Sequence, residues 1–240
     1  MLNIAYSLGL ALVVAIGLYL LQVHLAISIP IAIVGGFVLF IILGRKVQEA
    51  LEGVLNQMQK DVQAGKLEKA IETLKRGFAF KNRHIFVESQ LNSQIGVLYY
   101  LKKDHDTALS YLKKGFLKHY LGQCMMAVIY YKRKDLDTMK KVMENTIQGN
   151  KKESICYGLY AYLLYQNKEK EKAIEILQAG MKKLPDDTKL SSNLSLLQNN
   201  KKLKMKVYGD IWVQFMLERP PRIMQTQAPH MRMKRKAMFR

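Results

Sequence analysis

The chain has 240 residues and a formal net charge of +19, from 38 basic and 19 acidic side chains. None of these charges falls within the first 44 residues, so the composition excludes a chain of uniform character. An uncharged apolar segment is joined to a strongly basic one at Gly44 and Arg45. The two cysteines, Cys124 and Cys156, are not spaced as a metal site, and we expect buried thiols in a reducing compartment.

Residues 1–44 predict a hairpin of two membrane-spanning helices. Ile4–Val23 and Leu25–Leu43 are mostly apolar, and each has about the 20 residues that a helix needs to cross a bilayer. We expect Ser28 to cap the second helix and Pro30 to lie in its first turn. Small residues at four-residue spacing would let the helices approach closely: Ser7, Ala11 and Ala15 against Ala32 and Gly36.

The flanking charges predict the side of the membrane on which the rest of the chain lies. The hairpin turn has no Lys or Arg, whereas the segment after Leu43 begins Arg45-Lys46 and stays basic. By the positive-inside rule both ends lie in the cytoplasm, which predicts a multi-pass inner-membrane protein with its remaining residues on the cytoplasmic side. A cleaved signal peptide is less favoured, because the first stretch has neither a basic start nor a small-x-small cleavage site.

A motif occurs four times between residues 45 and 200. Its copies read GKLEKAIETLKRG (65–77), KDHDTALSYLKKG (103–115), KDLDTMKKVMENT (134–146) and KEKEKAIEILQAG (168–180). Apolar and small residues recur in each copy at i, i+4 and i+7, which predicts the buried face of a helix. A further helix-length segment precedes each copy, so the repeating unit is a helical hairpin of about 34 residues. The buried face begins at Ala70, Ala108, Met139 and Ala173.

Two units carry a longer set of matched residues: Gly96, Tyr99, Ala108 and Leu112 in the second, and Ala161, Leu164, Ala173, Leu177, Gly180 and Pro185 in the fourth. This pattern resembles the tetratricopeptide repeat (TPR) over roughly residues 51–200, and it implies an α-solenoid. The third unit departs from it by carrying Met139 where a small residue is usual. In the first unit, residues 52–64 are either a first repeat helix or an extension of the second membrane helix.

The resemblance also implies a concave groove, lined by the first helix of each hairpin, that binds a segment of a partner protein. A column of Tyr100, Tyr131 and Tyr165 would offer large contact area and hydroxyl groups for main-chain partners. The alternative is that these rings pack between hairpins. The groove positions implied by the resemblance are Gln90, Ser93, Val97, Tyr100, Leu121, Cys124, Val128, Tyr131, Ile155, Gly158, Tyr162 and Tyr165, with Lys132 and Gln166 beside them.

The C-terminal part predicts a cap and a tail. Residues 201–218 are expected to form a capping helix with Tyr208, Ile211, Trp212 and Phe215 on one face and Trp212 buried, the alternative being that Trp212 lies at the membrane interface. Residues 219–240 are basic and rich in proline, and we expect them to be disordered. The residues predicted to lie at the membrane surface are Arg45, Lys46, Arg232, Lys234, Arg235 and Lys236.

The positive charge favours contact with anionic lipid headgroups or serves solubility. Binding to nucleic acid is the least favoured of the three, because no recognised motif accompanies the charge. The sequence contains no phosphate-binding loop, metal-ligand spacing or nucleophile motif, so we expect no catalytic activity, no metal and no cofactor.

The fold prediction is therefore all-α: a transmembrane helical hairpin (1–44), a TPR-like α-solenoid (45–200), a capping helix (201–218) and a basic tail (219–240). The main functional hypothesis is a membrane-anchored adaptor or scaffold whose groove binds a partner segment, an acidic one being favoured by the charge. The alternative is a regulatory or assembly subunit of a membrane enzyme complex, bound through the hairpin.

Overall fold

The computed structural model describes residues 2–218, which form α-helices, two 3-10 turns and no β-strand. The predicted all-α class is confirmed for these residues. The 3-10 turns are Gly77–Phe80 and Met205–Tyr208. The α-helices are α1 Leu2–Leu20, α2 Leu25–Gln63, α3 Leu67–Arg76, α4 Val87–Leu101, α5 His105–Leu112, α6 Tyr120–Lys132, α7 Leu136–Gly149, α8 Ser154–Gln166, α9 Lys170–Lys183, α10 Thr188–Gln198 and α11 Asp210–Gln214.

Helices α1 and α2 form an antiparallel hairpin held together by small residues. A Cβ added to Gly36 would lie 2.9 Å from both the Ala11 Cβ and the Ser7 carbonyl oxygen, so only glycine permits this approach. The predicted close contact between small residues is confirmed at these three positions. Both helices are long and apolar enough to cross a membrane.

Helix α2 is longer than predicted and begins earlier. It starts at Leu25, so Ser28 is not its cap; the Ser28 hydroxyl instead donates to the Leu25 carbonyl oxygen at 3.3 Å. Pro30 lies inside the helix rather than in its first turn, where it removes one main-chain hydrogen bond. No break occurs at residue 44: the helix continues through Gly44 and Gly53 to Gln63, and Gly65, with a left-handed backbone, follows its end.

The C-terminal half of α2 is also the first helix of the first hairpin. Val47 and Leu51 are buried against Ala70 and Leu74 of α3. Val54, Leu55, Met58 and Val62 pack against the same cluster. Both alternatives for residues 52–64 are therefore correct, because this segment extends the second apolar helix and also pairs with α3. The apolar hairpin is in consequence rigidly continuous with the repeats.

The repeated motif marks the turn and the start of the second helix of each hairpin. Its first residue has a left-handed backbone, with φ of 67° at Lys103 and 64° at Lys134, as at Gly65 in the first copy. The aspartate that follows caps the second helix: the Asp104 side chain accepts from the Thr107 amide at 3.1 Å, and Asp135 repeats the contact. The near-identical sequences of the second and third units therefore encode the same turn and the same N-cap.

The hairpins α2/α3, α4/α5, α6/α7 and α8/α9 stack in order, and α10 packs on α9 and α8. Gly96 allows the close crossing of α4 and α5, since a Cβ there would lie 2.6 Å from the Leu112 Cγ. Met139 is fully buried although it departs from the small-residue pattern. Its flexible thioether fills the same interior position.

The predicted capping helix over residues 201–218 is wrong in form. Gly209, with φ of 63°, separates the turn Met205–Tyr208 from the single helical turn α11. Trp212 is only 3% exposed, so its predicted burial is confirmed and the membrane-interface alternative is not. The predicted tail, residues 219–240, lies outside the described residues.

Candidate functional site

The C-terminal segment, residues 203–217, lies against the first helices of the hairpins. Trp212 packs edge-on against Tyr162 with the ring centroids 4.7 Å apart, and Phe215 is fully buried. The Tyr100 hydroxyl donates a hydrogen bond to the Phe215 carbonyl oxygen at 2.5 Å. We call the side of α4 and α8 that carries Tyr100 and Tyr162 the inner face. The segment predicted to cap the solenoid therefore fills part of the predicted groove.

A glycine on α8 makes room for the start of this segment. A Cβ on Gly158 would lie 2.5 Å from the Tyr208 hydroxyl oxygen. That hydroxyl lies 3.4 Å from the Ser154 carbonyl oxygen, to which it donates. Burial raises the pKa of both Tyr208 and Tyr100, so both hydroxyls stay protonated and act as donors.

The chain is guided onto the inner face by a contact just after α10. The Asn193 side-chain oxygen accepts a hydrogen bond from the Lys204 amide at 2.8 Å, and Asn193 is itself almost fully buried. This contact fixes the direction in which the main chain leaves α10. The aromatic side chains that follow therefore lie against the inner face.

Most of the predicted groove positions are not open to solvent. The Ser93 hydroxyl accepts from the Phe116 amide at 2.7 Å, so it stabilises the connection between α5 and α6 rather than lining a groove. The Cys124 thiol lies 3.8 Å from Cys156, and this contact and burial raise the pKa of Cys124, which leaves it an inert thiol. The buried positions are Ser93, Val97, Tyr100, Cys124, Val128, Ile155, Gly158 and Tyr162.

The remaining predicted positions keep contact with solvent. Lys132 is exposed, and its ammonium group lies 5.5 Å from the centroid of the Tyr100 ring. The predicted tyrosine column is therefore divided, with Tyr100 in the interior and two rings at the surface. The half-buried positions are Gln90, Leu121, Tyr131 and Tyr165, and Gln166 is exposed.

Two openings lie beside the first helices of the hairpins, and the second of them borders the C-terminal segment at Leu203. The first, which we call the N-terminal cavity, has a volume of about 190 Å³. The second, which we call the C-terminal cleft, has a volume of about 460 Å³ and is more polar. The N-terminal cavity is lined by Leu51, Leu55, Gln90, Leu91, Gln94, Phe116, Lys118 and His119. The C-terminal cleft is lined by Tyr162, Tyr165, Gln166, Lys168, Lys170, Lys202, Leu203 and Glu218.

His119 joins the N-terminal cavity to the start of α6. Its Nδ1 accepts from the Gly122 amide at 3.1 Å and so caps the helix, while its Nε2 lies 3.2 Å from the Gln94 side-chain nitrogen. Burial lowers the pKa of His119, which favours the neutral form that the cap requires. Sequence analysis missed this cap, because histidine is not a usual N-cap residue.

Arg45 and Lys46, which are predicted to lie at the membrane surface, are exposed on α2 directly after its apolar part. The other four predicted surface residues, Arg232, Lys234, Arg235 and Lys236, lie outside the described range. Within residues 2–218 no three His, Cys, Asp or Glu side chains are grouped so that they could hold a metal ion.

No family model and no curated protein matches the sequence. Among solved structures, "MamA RS-1 ArsTM double mutant" is 18% identical with a TM-score of 0.47, covering 74% of this chain and 96% of that one. "MamA 41-end from Desulfovibrio magneticus RS-1" is 17% identical with a TM-score of 0.47 and the same coverage. These similarities are too low to say anything about function.

Proposed function

We propose that this protein is a membrane-anchored scaffold whose helical repeats bind a segment of a partner protein at the cytoplasmic side of the membrane. The observation that carries the proposal is that the inner face already holds a short polypeptide segment, residues 203–217, through aromatic side chains and a main-chain hydrogen bond. The same kinds of contact, aromatic packing and hydrogen bonds to the main chain, could hold a partner segment next to residues 203–217.

The anchor is supported by the exposure of the apolar hairpin. Only 11% of the apolar window of α1 and 17% of that of α2 is buried by the rest of the chain. A core helix of a soluble protein would be mostly buried, so these side chains need an apolar surrounding from outside the chain. A bilayer supplies it, and the charges of Arg45 and Lys46 favour the cytoplasm for the repeats.

The partner segment is proposed to bind in the C-terminal cleft. Lys168, Lys170 and Lys202 line it against a single acid, Glu218, so the cleft favours an acidic segment. Tyr165 is half-buried there and offers a ring and a hydroxyl, while Gln166 is exposed beside it. The anchor raises the effective concentration of the cleft for a membrane partner without any new contact.

Site-specific photocrosslinking in cells tests the proposal. A photoreactive residue at Gln166 should give a crosslink to one protein, and Tyr165→Ala should remove it. The same residue at Lys141, exposed on α7, is the matched control and should give no such product. An unchanged Gln166 crosslink in the Tyr165→Ala chain would contradict binding at the cleft.

The proposed sidedness has its own test. A reporter that is active only outside the cytoplasm, fused after Arg240, should be inactive, whereas a cytoplasmic fluorescent reporter should work. The opposite pattern would overturn the topology.

One observation favours the second candidate, a regulatory or assembly subunit bound through the hairpin. The α1/α2 pair leaves an open notch of about 350 Å³ with an almost wholly apolar lining. Phe37 borders it and is 61% exposed. A photoreactive residue at Phe37 that captures a protein, with none captured from Gln166, would favour this candidate over the scaffold.

A further inference from the structure

The connection between α3 and α4 is tied to the open end of the apolar hairpin. The Leu2 amide donates a hydrogen bond to the Asn82 carbonyl oxygen at 2.8 Å. Because Ser7 packs against Gly36 in an antiparallel pair, Leu2 lies level with residues near Ile41, where the apolar part of α2 is about to end. If the hairpin spans a bilayer, this connection lies at the bilayer surface.

This connection and the next one expose large apolar side chains. Ile85 is 52% exposed, Phe86 45% and Leu117, in the α5–α6 connection, 48%. Between residues 45 and 200, all of which the structure describes, every other large hydrophobic side chain is buried or half-buried. The Phe86 and Phe116 rings are 5.4 Å apart, so the two connections form one surface.

Basic side chains surround this apolar surface. Lys81, Arg83 and Lys118 are exposed, and the Arg83 guanidinium lies 5.9 Å from the centroid of the Phe80 ring. Glu88, on the first turn of α4, is the nearest acid along the chain. Aromatic and aliphatic side chains mixed with Lys and Arg are typical of segments that lie in the headgroup region of a bilayer.

We propose that Ile85, Phe86 and Leu117 insert into the surface of the bilayer that the hairpin spans, while Lys81, Arg83 and Lys118 contact lipid phosphates. We call these six residues the docking patch. The occupant is an anionic bilayer, because the Leu2–Asn82 hydrogen bond holds the patch at the depth where the apolar hairpin ends. The inference rests on the proposed membrane anchor.

Docking would give the repeats a second attachment to the membrane. With the hairpin as the only attachment, the stiffness of α2 alone limits how far the repeats tilt relative to the membrane. A patch on the α3–α4 and α5–α6 connections fixes the tilt of the hairpin stack, and with it the direction that the inner face presents to a partner.

Depth-dependent quenching on the full-length chain tests the inference. Phe86→Cys is labelled with an environment-sensitive fluorophore and reconstituted into vesicles of phosphatidylcholine and phosphatidylglycerol that carry brominated acyl chains. Ile16→Cys, exposed on α1, reports whether the hairpin is in the bilayer, and Lys141→Cys, on α7, is the water-exposed control. The unsubstituted chain gives the background from the buried Cys124 and Cys156.

The expected result is loss of most of the emission at positions 16 and 86 in brominated vesicles and none at position 141. Replacing Arg83 and Lys118 by Glu should reduce the loss at position 86 and leave that at 16 unchanged. If position 16 is not quenched by lipid, the membrane anchor itself fails. If lipid quenches position 16 but only aqueous iodide quenches position 86, the docking patch is overturned and the anchor stands. The same holds if neither quencher reaches position 86, because protein would then cover it.

Discussion

The Tyr100 hydroxyl and the Phe215 carbonyl oxygen are 115 residues apart in the sequence and 2.5 Å apart in space. This hydrogen bond joins the end of α4 to the end of the C-terminal segment. The segment therefore bridges the second and fourth hairpins instead of extending the solenoid at its last helix. Any partner of the inner face must bind beside this segment or displace it.

Tyr100→Phe should destabilise the fold by about 1–3 kcal/mol, because the buried Phe215 carbonyl group loses its partner while the ring is kept. Thermal unfolding in nanodiscs measures the change. Tyr99→Phe is the matched control, since the half-buried Tyr99 ring stacks on Tyr111 at a centroid distance of 5.6 Å and this contact survives the substitution. Equal stability of the two variants would show that the Tyr100 bond contributes nothing.

Gly158→Ala should loosen the C-terminal segment, because the added methyl group would lie 2.5 Å from the Tyr208 hydroxyl oxygen. Trp212 is the only tryptophan, so its emission should shift to longer wavelength as it becomes hydrated. Gly149→Ala is the control, since its Cβ would meet Leu117 only at ordinary contact distance, 3.6 Å. A Trp212 emission spectrum unaffected by Gly158→Ala would mean that the segment is not held by this contact.

Local patterns predicted the apolar hairpin and the repeat helices, but not the break at Gly209 within residues 201–218, and long-range contacts decided where each segment lies. The spacing of Tyr208, Trp212 and Phe215 predicted a buried face. The surface that this face packs against includes Tyr100, which lies 115 residues before Phe215 in the sequence, so no local pattern could identify it. The repeat spacing located every second helix, because caps and apolar periodicity are local. The groove positions were predicted from the repeat resemblance. That resemblance does not include residues 203–217, which fill part of the groove.

Lys134→Gly should stabilise the protein by about 0.5–1 kcal/mol. The left-handed backbone at Lys134, φ 64°, strains a residue with a Cβ, and the greater chain entropy of glycine offsets only part of the relief. Lys141→Gly, at an exposed site inside α7, should instead cost about 1 kcal/mol. Thermal unfolding of both variants compares the two signs. Destabilisation by Lys134→Gly would show that the lysine side chain has a contact worth more than the strain.

Gly36→Leu should separate α1 from α2, whereas Gly35→Leu should not. A Cβ at Gly36 meets Ala11 and Ser7 at 2.9 Å, while a Cβ at the neighbouring Gly35 has no atom within 4 Å outside its own helix. Disulfide crosslinking between cysteines placed at Ala11 and Ala32, which lie level in the register that sets Ser7 against Gly36, measures the approach of the helices in the membrane. Crosslinking that is equally efficient in both leucine variants would contradict the close packing.

The neutral His119 side chain predicts that stability falls as the pH drops below about 6.5, the usual histidine pKa. The folded state holds the pKa of His119 below that value through burial, so the unfolded chain binds the proton first and is stabilised by it. Stability is full above pH 6.5 and declines toward the folded-state pKa by at most about 1.4 kcal/mol per pH unit.

His119→Asn keeps a cap acceptor for the Gly122 amide and removes the titration, so its thermal unfolding should depend less on pH between 7.5 and 5.5. His105, whose pKa burial also lowers, should account for the slope that remains, and His105→Asn should lessen it further. A His119→Asn chain with the pH dependence of the unsubstituted one would exclude the cap as a titrating contact.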